Sequence, residues 1–119
     1  MNKTIEQVID TKYLKSIIDD DKEFEKELFL IFFENSQKNI TKLEEAIASQ
    51  DKNSWYMAAH AFKGASASIG AFELAKVLEH AQKSIDADED LKKELIKKIK
   101  EEFDSVKYFI EKGISSFSS

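Results

Sequence analysis

Apolar side chains recur along most of this chain at steps of three and four residues, which is the spacing of one face of an α-helix. The repeat predicts four long amphipathic helices, at about 21–49, 53–69, 71–85 and 90–112, and a shorter one before them at 11–18. No stretch alternates apolar and polar residues over enough positions to favour a strand. The pattern therefore indicates an all-α protein.

The segments between the predicted long helices are short and polar. Because a short connection makes each helix reverse beside the one before it, the predicted architecture is an antiparallel four-helix bundle. We expect the short extra N-terminal helix to pack across one end of this bundle. The chain is predicted to be a single domain over residues 1–119, with the bundle core at about 20–112.

Several residues have the character of helix boundaries. Asp10 is expected to cap the first helix, and Asp20, three residues before Glu23, has the spacing of a capping box that opens the second. Gly70 is expected to end the helix at 53–69, and Gly113 is expected to end the last helix. These residues fix the predicted helix limits.

The stretch LFLIFF, residues 28–33, is apolar around more of its helix than a core-facing seam requires. We expect the N-terminal helix to cover those apolar side chains of this stretch that do not face the core. The alternative is that part of it stays exposed and contributes to a surface on which a partner docks.

The composition limits the chemistry and the partners. The 119-residue chain is 42% hydrophobic and 34% charged and has no proline, which is typical of a helical globular protein. Its 18 basic residues, all lysine, are interspersed with 23 acidic ones for a net charge of −5, so a nucleic-acid partner is not expected. The absence of cysteine excludes thiol chemistry, and without a signal-like or membrane-length apolar run we expect no membrane association and a cytoplasmic location.

A lone histidine, His60, lies in the stretch AAHAFKGASASIGA at residues 58–71. At about 100° per residue, the large apolar side chains of the same helix fall on the side opposite to His60. These are Trp55, Phe62 and Ile69. The His60 ring is therefore predicted to point outward from the bundle.

Two neighbours of His60 indicate what the ring does. Gly64 lies one turn on, where glycine costs about 1 kcal/mol relative to alanine, and a close approach by a large partner would explain why it is there. Lys63 lies on the same face and can bring its ammonium to an anion held at the ring. A phosphoryl group is the natural anion, because neutral imidazole is a nucleophile above its usual pKa of about 6.5.

The residues HAFKGAS at 60–66, followed by IGA at 69–71, resemble the signature of histidine-containing phosphotransfer (Hpt) domains of two-component phosphorelays. That signature is H-x-hydrophobic-K-G-x-S/A, then a small gap and G-A. The resemblance extends over roughly residues 10–112. It implies a helical bundle whose histidine carries a phosphoryl group on its outer ring nitrogen and exchanges it with an aspartate of a receiver domain.

The resemblance also implies roles for individual residues. His60 would be the phosphoryl acceptor and donor, Lys63 would stabilise the phosphate, and Gly64 would clear space for the receiver. Gln82 would orient the imidazole by a hydrogen bond to its inner nitrogen, although a boundary glutamine bonded to water is an equal alternative. The implied partners are response-regulator receiver domains, including that of a hybrid sensor kinase.

We expect the chain to be a carrier and not an enzyme, because it has neither a glycine-rich ATP loop nor a Mg²⁺-holding constellation. No cofactor or metal of its own is expected, and the Mg²⁺ of the transfer reaction is expected on the receiver. We also expect a monomer. The alternative function is a non-catalytic helical adaptor that docks a receiver or a partner helix without phosphotransfer.

Overall fold

The computed structural model describes the backbone of residues 8–118 and the side chains of residues 8–112. Five α-helices follow one another along this part of the chain, and it contains no strand. They are α1 (Thr11–Ile18), α2 (Lys22–Ser49), α3 (Lys52–Ser68), α4 (Phe72–Lys83) and α5 (Glu89–Ser118). The all-α prediction is confirmed.

Helices α2 to α5 form the predicted bundle, and α1 packs against α2. Each bundle helix contacts two others, so that α3 lies between α2 and α4, and α5 closes the ring between α4 and α2. The connections at 50–51 and 69–71 are short, which makes successive helices antiparallel.

The core is filled by the apolar faces of all five helices, with Trp55 and Phe62 of α3 fully buried near its centre. The Phe103 ring of α5 lies 6.3 Å from that of Phe62 and 6.0 Å from that of Phe32 in α2. The indole Nε1–H of Trp55 donates to the carbonyl of Ala81 at 2.7 Å, so its buried polar atom is satisfied. These contacts hold this face of α3 against α4 and α5, which fixes the residues that turn outward.

Most helix boundaries lie within two residues of prediction, but two of the predicted boundary residues are wrong. Asp10 caps α1 as expected, since its carboxylate accepts from the Tyr13 N–H at 3.0 Å. However, Asp21 and not Asp20 caps α2, because Asp20 has a left-handed φ of 63° and the extended backbone of an N-cap comes one residue later. The prediction that Gly113 ends the last helix is wrong, since α5 continues to Ser118. A glycine within a helix costs only about 1 kcal/mol, and it ends one only where the chain turns away.

The N-terminal helix does not cover all of the apolar side chains at residues 28–33. Phe29 and Phe32 are buried, but Leu30 is 59% and Ile31 56% exposed. At about 100° per residue these two side chains point away from the buried face of α2, where α1 and the core cannot reach them. The expectation of full coverage is therefore wrong for Leu30 and Ile31.

Gly70 shapes the turn between α3 and α4 and anchors the chain that leads into α1. Its φ is +83°, and its carbonyl accepts a hydrogen bond from the Asp10 N–H at 2.9 Å. A Cβ at this position would lie 3.1 Å from the Asp10 carbonyl oxygen and 3.2 Å from the Tyr13 ring. The turn therefore requires glycine for both its backbone conformation and its close contacts.

Replacing Gly70 with alanine is expected to lower the free energy of unfolding by about 1–2 kcal/mol, because a left-handed conformation strains a side-chain-bearing residue. Urea denaturation followed by circular dichroism measures the change. The matched control is Gly64→Ala, within α3, where an added Cβ meets none of the described residues within 4 Å apart from the helix backbone. That variant should gain stability, and an equal loss in both variants would contradict this account of the turn.

Candidate functional site

The site is built on the outward face of α3, which begins at a well-capped N-terminus. The carboxylate of Asp51 accepts from the Ser54 N–H at 3.0 Å and from the Ser54 hydroxyl at 2.7 Å. The bonds from the Ser54 backbone and side chain hold the pKa of the Asp51 carboxyl below its usual value. This cap fixes the start of the helix two turns before the histidine.

His60 lies near the middle of α3 and is exposed, whereas Ala59 and Phe62 beside it are fully buried. The side opposite the ring is therefore the core, as the apolar spacing of α3 predicts. The outward orientation of His60 is confirmed. No hydrogen bond to another side chain or to the backbone holds the His60 imidazole within the described residues.

Beside His60 the surface is open at Gly64. Within the described residues, an added Cβ there would have no neighbour within 4 Å apart from the backbone of α3 itself, and we call this gap the notch. The helix nevertheless runs unbroken through the glycine to Ser68. A partner's backbone can therefore approach α3 closely at this position.

Lys63 is half-buried on the same helix, and no ion pair or hydrogen bond engages its ammonium within the described part of the chain. Some other surface lysines are paired with acidic side chains. Lys52, for example, reaches Asp86 at 2.8 Å and Lys76 reaches Glu73 at 3.0 Å. The charge of Lys63 is thus available to an anion bound near His60.

Tyr56 is a component of the site that the helical spacing places on the His60 face but to which no role was assigned from the sequence. Its ring and the His60 ring are nearly parallel, at an interplanar angle of 5° with centroids 5.9 Å apart. The two residues are four apart on α3, the spacing at which side chains of one helix meet. That spacing was the signal available in the sequence.

Gln82, on α4, is half-buried, and its Oε1 atom is buried without a hydrogen-bond partner among the described residues. No hydrogen bond joins it to His60 in this structure. The arrangement implied by the resemblance is therefore not formed here. The amide retains an unused acceptor of the kind that an imidazole N–H requires.

The sequence model of the Hpt domain family matches residues 27–108, which is more than half of the chain. The chain belongs to the Hpt family. No relative among curated protein sequences matches it.

A solved structure supports the Hpt fold independently. The crystal structure of histidine-containing phosphotransfer protein B (HptB) from Pseudomonas aeruginosa PAO1 matches with a TM-score of 0.78 at 25% sequence identity. The match covers 87% of this chain and 91% of that chain. Family and fold together indicate a histidine phosphotransfer role in a two-component phosphorelay, in which Hpt proteins are carriers and not kinases.

An open groove of about 540 Å³ runs between α2 and α3 of this Hpt domain, next to the histidine. Met57 and Ala61, which flank His60 in sequence, line it on the α3 side. Polar side chains form most of the remaining wall: Asn39, Lys42, Glu45, Ser49, Asn53 and Ser54. The groove therefore lies beside the face of α3 that carries His60, although neither His60 nor Gly64 lines it.

The second histidine of the Hpt domain, His80, is exposed on α4, and we assign it no role. Within the described residues, no three histidine or acidic side chains are grouped so that they could hold a metal ion. None of the helices there combines the length and apolar character needed to cross a membrane.

Proposed function

We propose that this chain carries a phosphoryl group on Nε2 of His60 and exchanges it with the aspartate of receiver domains. The observation that carries the proposal is the exposed imidazole on α3, with the empty notch of Gly64 beside it. The uncommitted ammonium of Lys63, on the same helix, adds the charge that a phosphate needs.

The transfer step follows from the chemistry of neutral imidazole. With its proton on Nδ1, the ring presents the Nε2 lone pair, which attacks the phosphorus of a phospho-aspartate in line with the leaving oxygen. The N–P bond forms as the P–O bond breaks, and the aspartate leaves as a carboxylate. The product ring carries positive charge until Nδ1 loses its proton. Reversal of these events returns the phosphoryl group to a receiver.

Lys63 and Gln82 have separate parts in this step. The Lys63 ammonium offsets the negative charge on the transferring oxygens, which is greatest when the phosphoryl group lies between donor and acceptor. The free Oε1 of Gln82 accepts from Nδ1–H after a side-chain rotation, which selects the tautomer with Nε2 available. The receiver contributes its aspartate and the Mg²⁺ bound beside it.

The receiver docks over the groove between α2 and α3 and over the notch. This surface combines exposed apolar area, with Met57 59% exposed, and a polar wall that can hydrogen-bond to a partner. Because no side chain stands at Gly64, the receiver's active-site loops can come close enough for phosphorus to reach Nε2.

The test is incubation of the purified chain with a receiver domain that carries a radiolabelled phosphoryl group on its aspartate. We expect label to move to this chain and to be lost in acid but kept in alkali, as is typical of phosphohistidine. Binding of the receiver without any transfer of label would instead support the adaptor function and overturn the proposal.

Replacing Lys63 with methionine is expected to slow transfer about 10-fold, because one cationic donor to the transferring oxygens is lost at a site open to water. Rapid-quench measurement of label transfer at saturating receiver gives the rate. Lys76→Met, which removes an exposed lysine paired on α4, is the matched control and should transfer normally. Equal rates for Lys63→Met and the wild type would show that Lys63 has no part in the step.

A further inference from the structure

The parallel contact between Tyr56 and His60 is the feature of the site that the phosphotransfer chemistry leaves unexplained. The ring centroids are 5.9 Å apart and the planes are inclined by only 5°, which is an offset-stacked arrangement. Tyr56 is 37% exposed, so its ring is not a core side chain of α3. The aromatic residue that packs in the core here is its neighbour Trp55, which is fully buried.

We propose that Tyr56 is a positioning residue that holds the His60 imidazole in one orientation for phosphoryl transfer. The inference rests on the proposed function of His60 and adds a residue to it. No other ring or hydrogen bond contacts the imidazole within the described residues, so the tyrosine face is what restricts it in the resting state.

The physical need for such a restraint is clear from the torsions of histidine. The χ2 angle of an exposed histidine rotates in a broad, roughly two-fold well, and either ring nitrogen can turn toward the partner. A stacked aromatic ring narrows this range without covering the ring edge, where both nitrogens lie. In-line attack needs Nε2 directed at the phosphorus, and misplacement of the nucleophile by about 1 Å is enough to slow a reaction greatly.

The stack also favours the charge that transfer creates. Attack by Nε2 leaves positive charge on the imidazole, and an aromatic face attracts a cation within about 6 Å of its centroid. Tyr56 meets this distance for the centre of the His60 ring. It therefore stabilises the phosphorylated ring more than the neutral one, which is the difference that accelerates a forward step.

The test compares Tyr56→Leu, which removes the aromatic face, with Tyr56→Phe, which keeps the face but not the hydroxyl. Tyr108→Leu is the matched control, because Tyr108 is an exposed tyrosine of α5 whose ring contacts Phe109 and not a histidine. Two quantities are measured in each variant. NMR of the carbon-bound ring protons of His60 reports the ring current of the stacked neighbour, and single-turnover transfer is followed over a range of receiver concentrations.

For Tyr56→Leu we expect the His60 ring signals to lose their ring-current shift and the saturating transfer rate to fall about 2- to 10-fold, the range that an aromatic pair supports. The receiver concentration for half-maximal rate should not change. Tyr56→Phe and Tyr108→Leu should match the wild type in both measurements. Thermal melts by circular dichroism confirm that each variant is folded.

Three results would overturn the proposal. Unchanged ring signals and rate in Tyr56→Leu would show that the stack restrains nothing, and an equal loss in Tyr56→Phe would assign the effect to the hydroxyl. If Tyr56→Leu changed only the receiver concentration for half-maximal rate, Tyr56 would be a docking residue and not a positioning residue. If the wild type accepts no label at all, the proposed function fails, whereas the NMR comparison on unphosphorylated protein still reports whether Tyr56 orients the ring.

Discussion

A His60→Gln variant is expected to accept no phosphoryl group from a labelled receiver, with a loss of at least about 100-fold relative to the wild type. Glutamine keeps a polar side chain of similar length but has no nucleophilic nitrogen lone pair, since its amide nitrogen is conjugated to the carbonyl. The fold should be intact, because the His60 ring is exposed and takes no part in the core. Label retained after gel filtration, compared with the wild type under the same conditions, measures the loss.

The second histidine provides the control. His80 is also exposed, but on α4, and a His80→Gln variant should accept label as the wild type does. The pair of variants separates the chemistry of one imidazole from any general effect of removing a histidine. Full labelling of His60→Gln, or loss of labelling in His80→Gln, would contradict the assignment of the acceptor.

A Gly64→Leu variant is expected to fold at least as well as the wild type and yet to transfer about 10- to 100-fold more slowly. Leucine favours helix over glycine by up to about 1 kcal/mol, and its Cβ would meet nothing within 4 Å among the described residues outside the backbone of α3. The added side chain fills the notch, so the receiver is held away from Nε2, and displacement of about 1 Å already costs up to two orders of magnitude. Stability and function are therefore expected to change in opposite directions.

Gly64→Ala is the graded control for this variant, because its single methyl group adds helix stability with little bulk. Its transfer rate should lie between those of the wild type and Gly64→Leu. Denaturation curves and rapid-quench rates, measured on the same preparations, give both quantities. A Gly64→Leu variant that transferred at the wild-type rate would show that the clearance is not needed, whatever its stability.

The bundle could be predicted from the sequence because the spacing of the apolar residues determines which face of each helix is buried. Trp55, Phe62 and Ile69 share one face of α3, and burying that face directs His60 outward whatever the details of packing. The open notch at Gly64 follows from the same helix geometry. These parts of the site depend only on the angular position of each residue around α3, which the spacing in a single sequence determines.

Other features depend on backbone or side-chain torsions that the pattern does not encode. The N-cap of α2 is Asp21 and not the predicted Asp20, because two consecutive residues, Asp19 and Asp20, adopt left-handed φ values of 51° and 63°. Gly113 was expected to end a helix that continues past it, since an isolated glycine permits a turn but does not impose one.

The side-chain arrangement around His60 was the least predictable part. The Tyr56 stack requires matching rotamers of two residues one turn apart, and the Gln82 amide must be rotated correctly on a different helix to reach the imidazole. The angular position of each residue around its helix limits where its side chain can lie. It does not decide which contact forms.

The central claim is that one exposed imidazole, that of His60, carries the phosphoryl group. The most direct measurement is NMR of the wild-type chain after phosphorylation by a receiver, in which nitrogen-to-proton correlations of the labelled histidine ring identify the phosphorylated atom. The account predicts a single phosphorylated nitrogen, Nε2 of His60, with the His80 signals unchanged. Phosphorylation of His80 or of any residue other than His60 would contradict it.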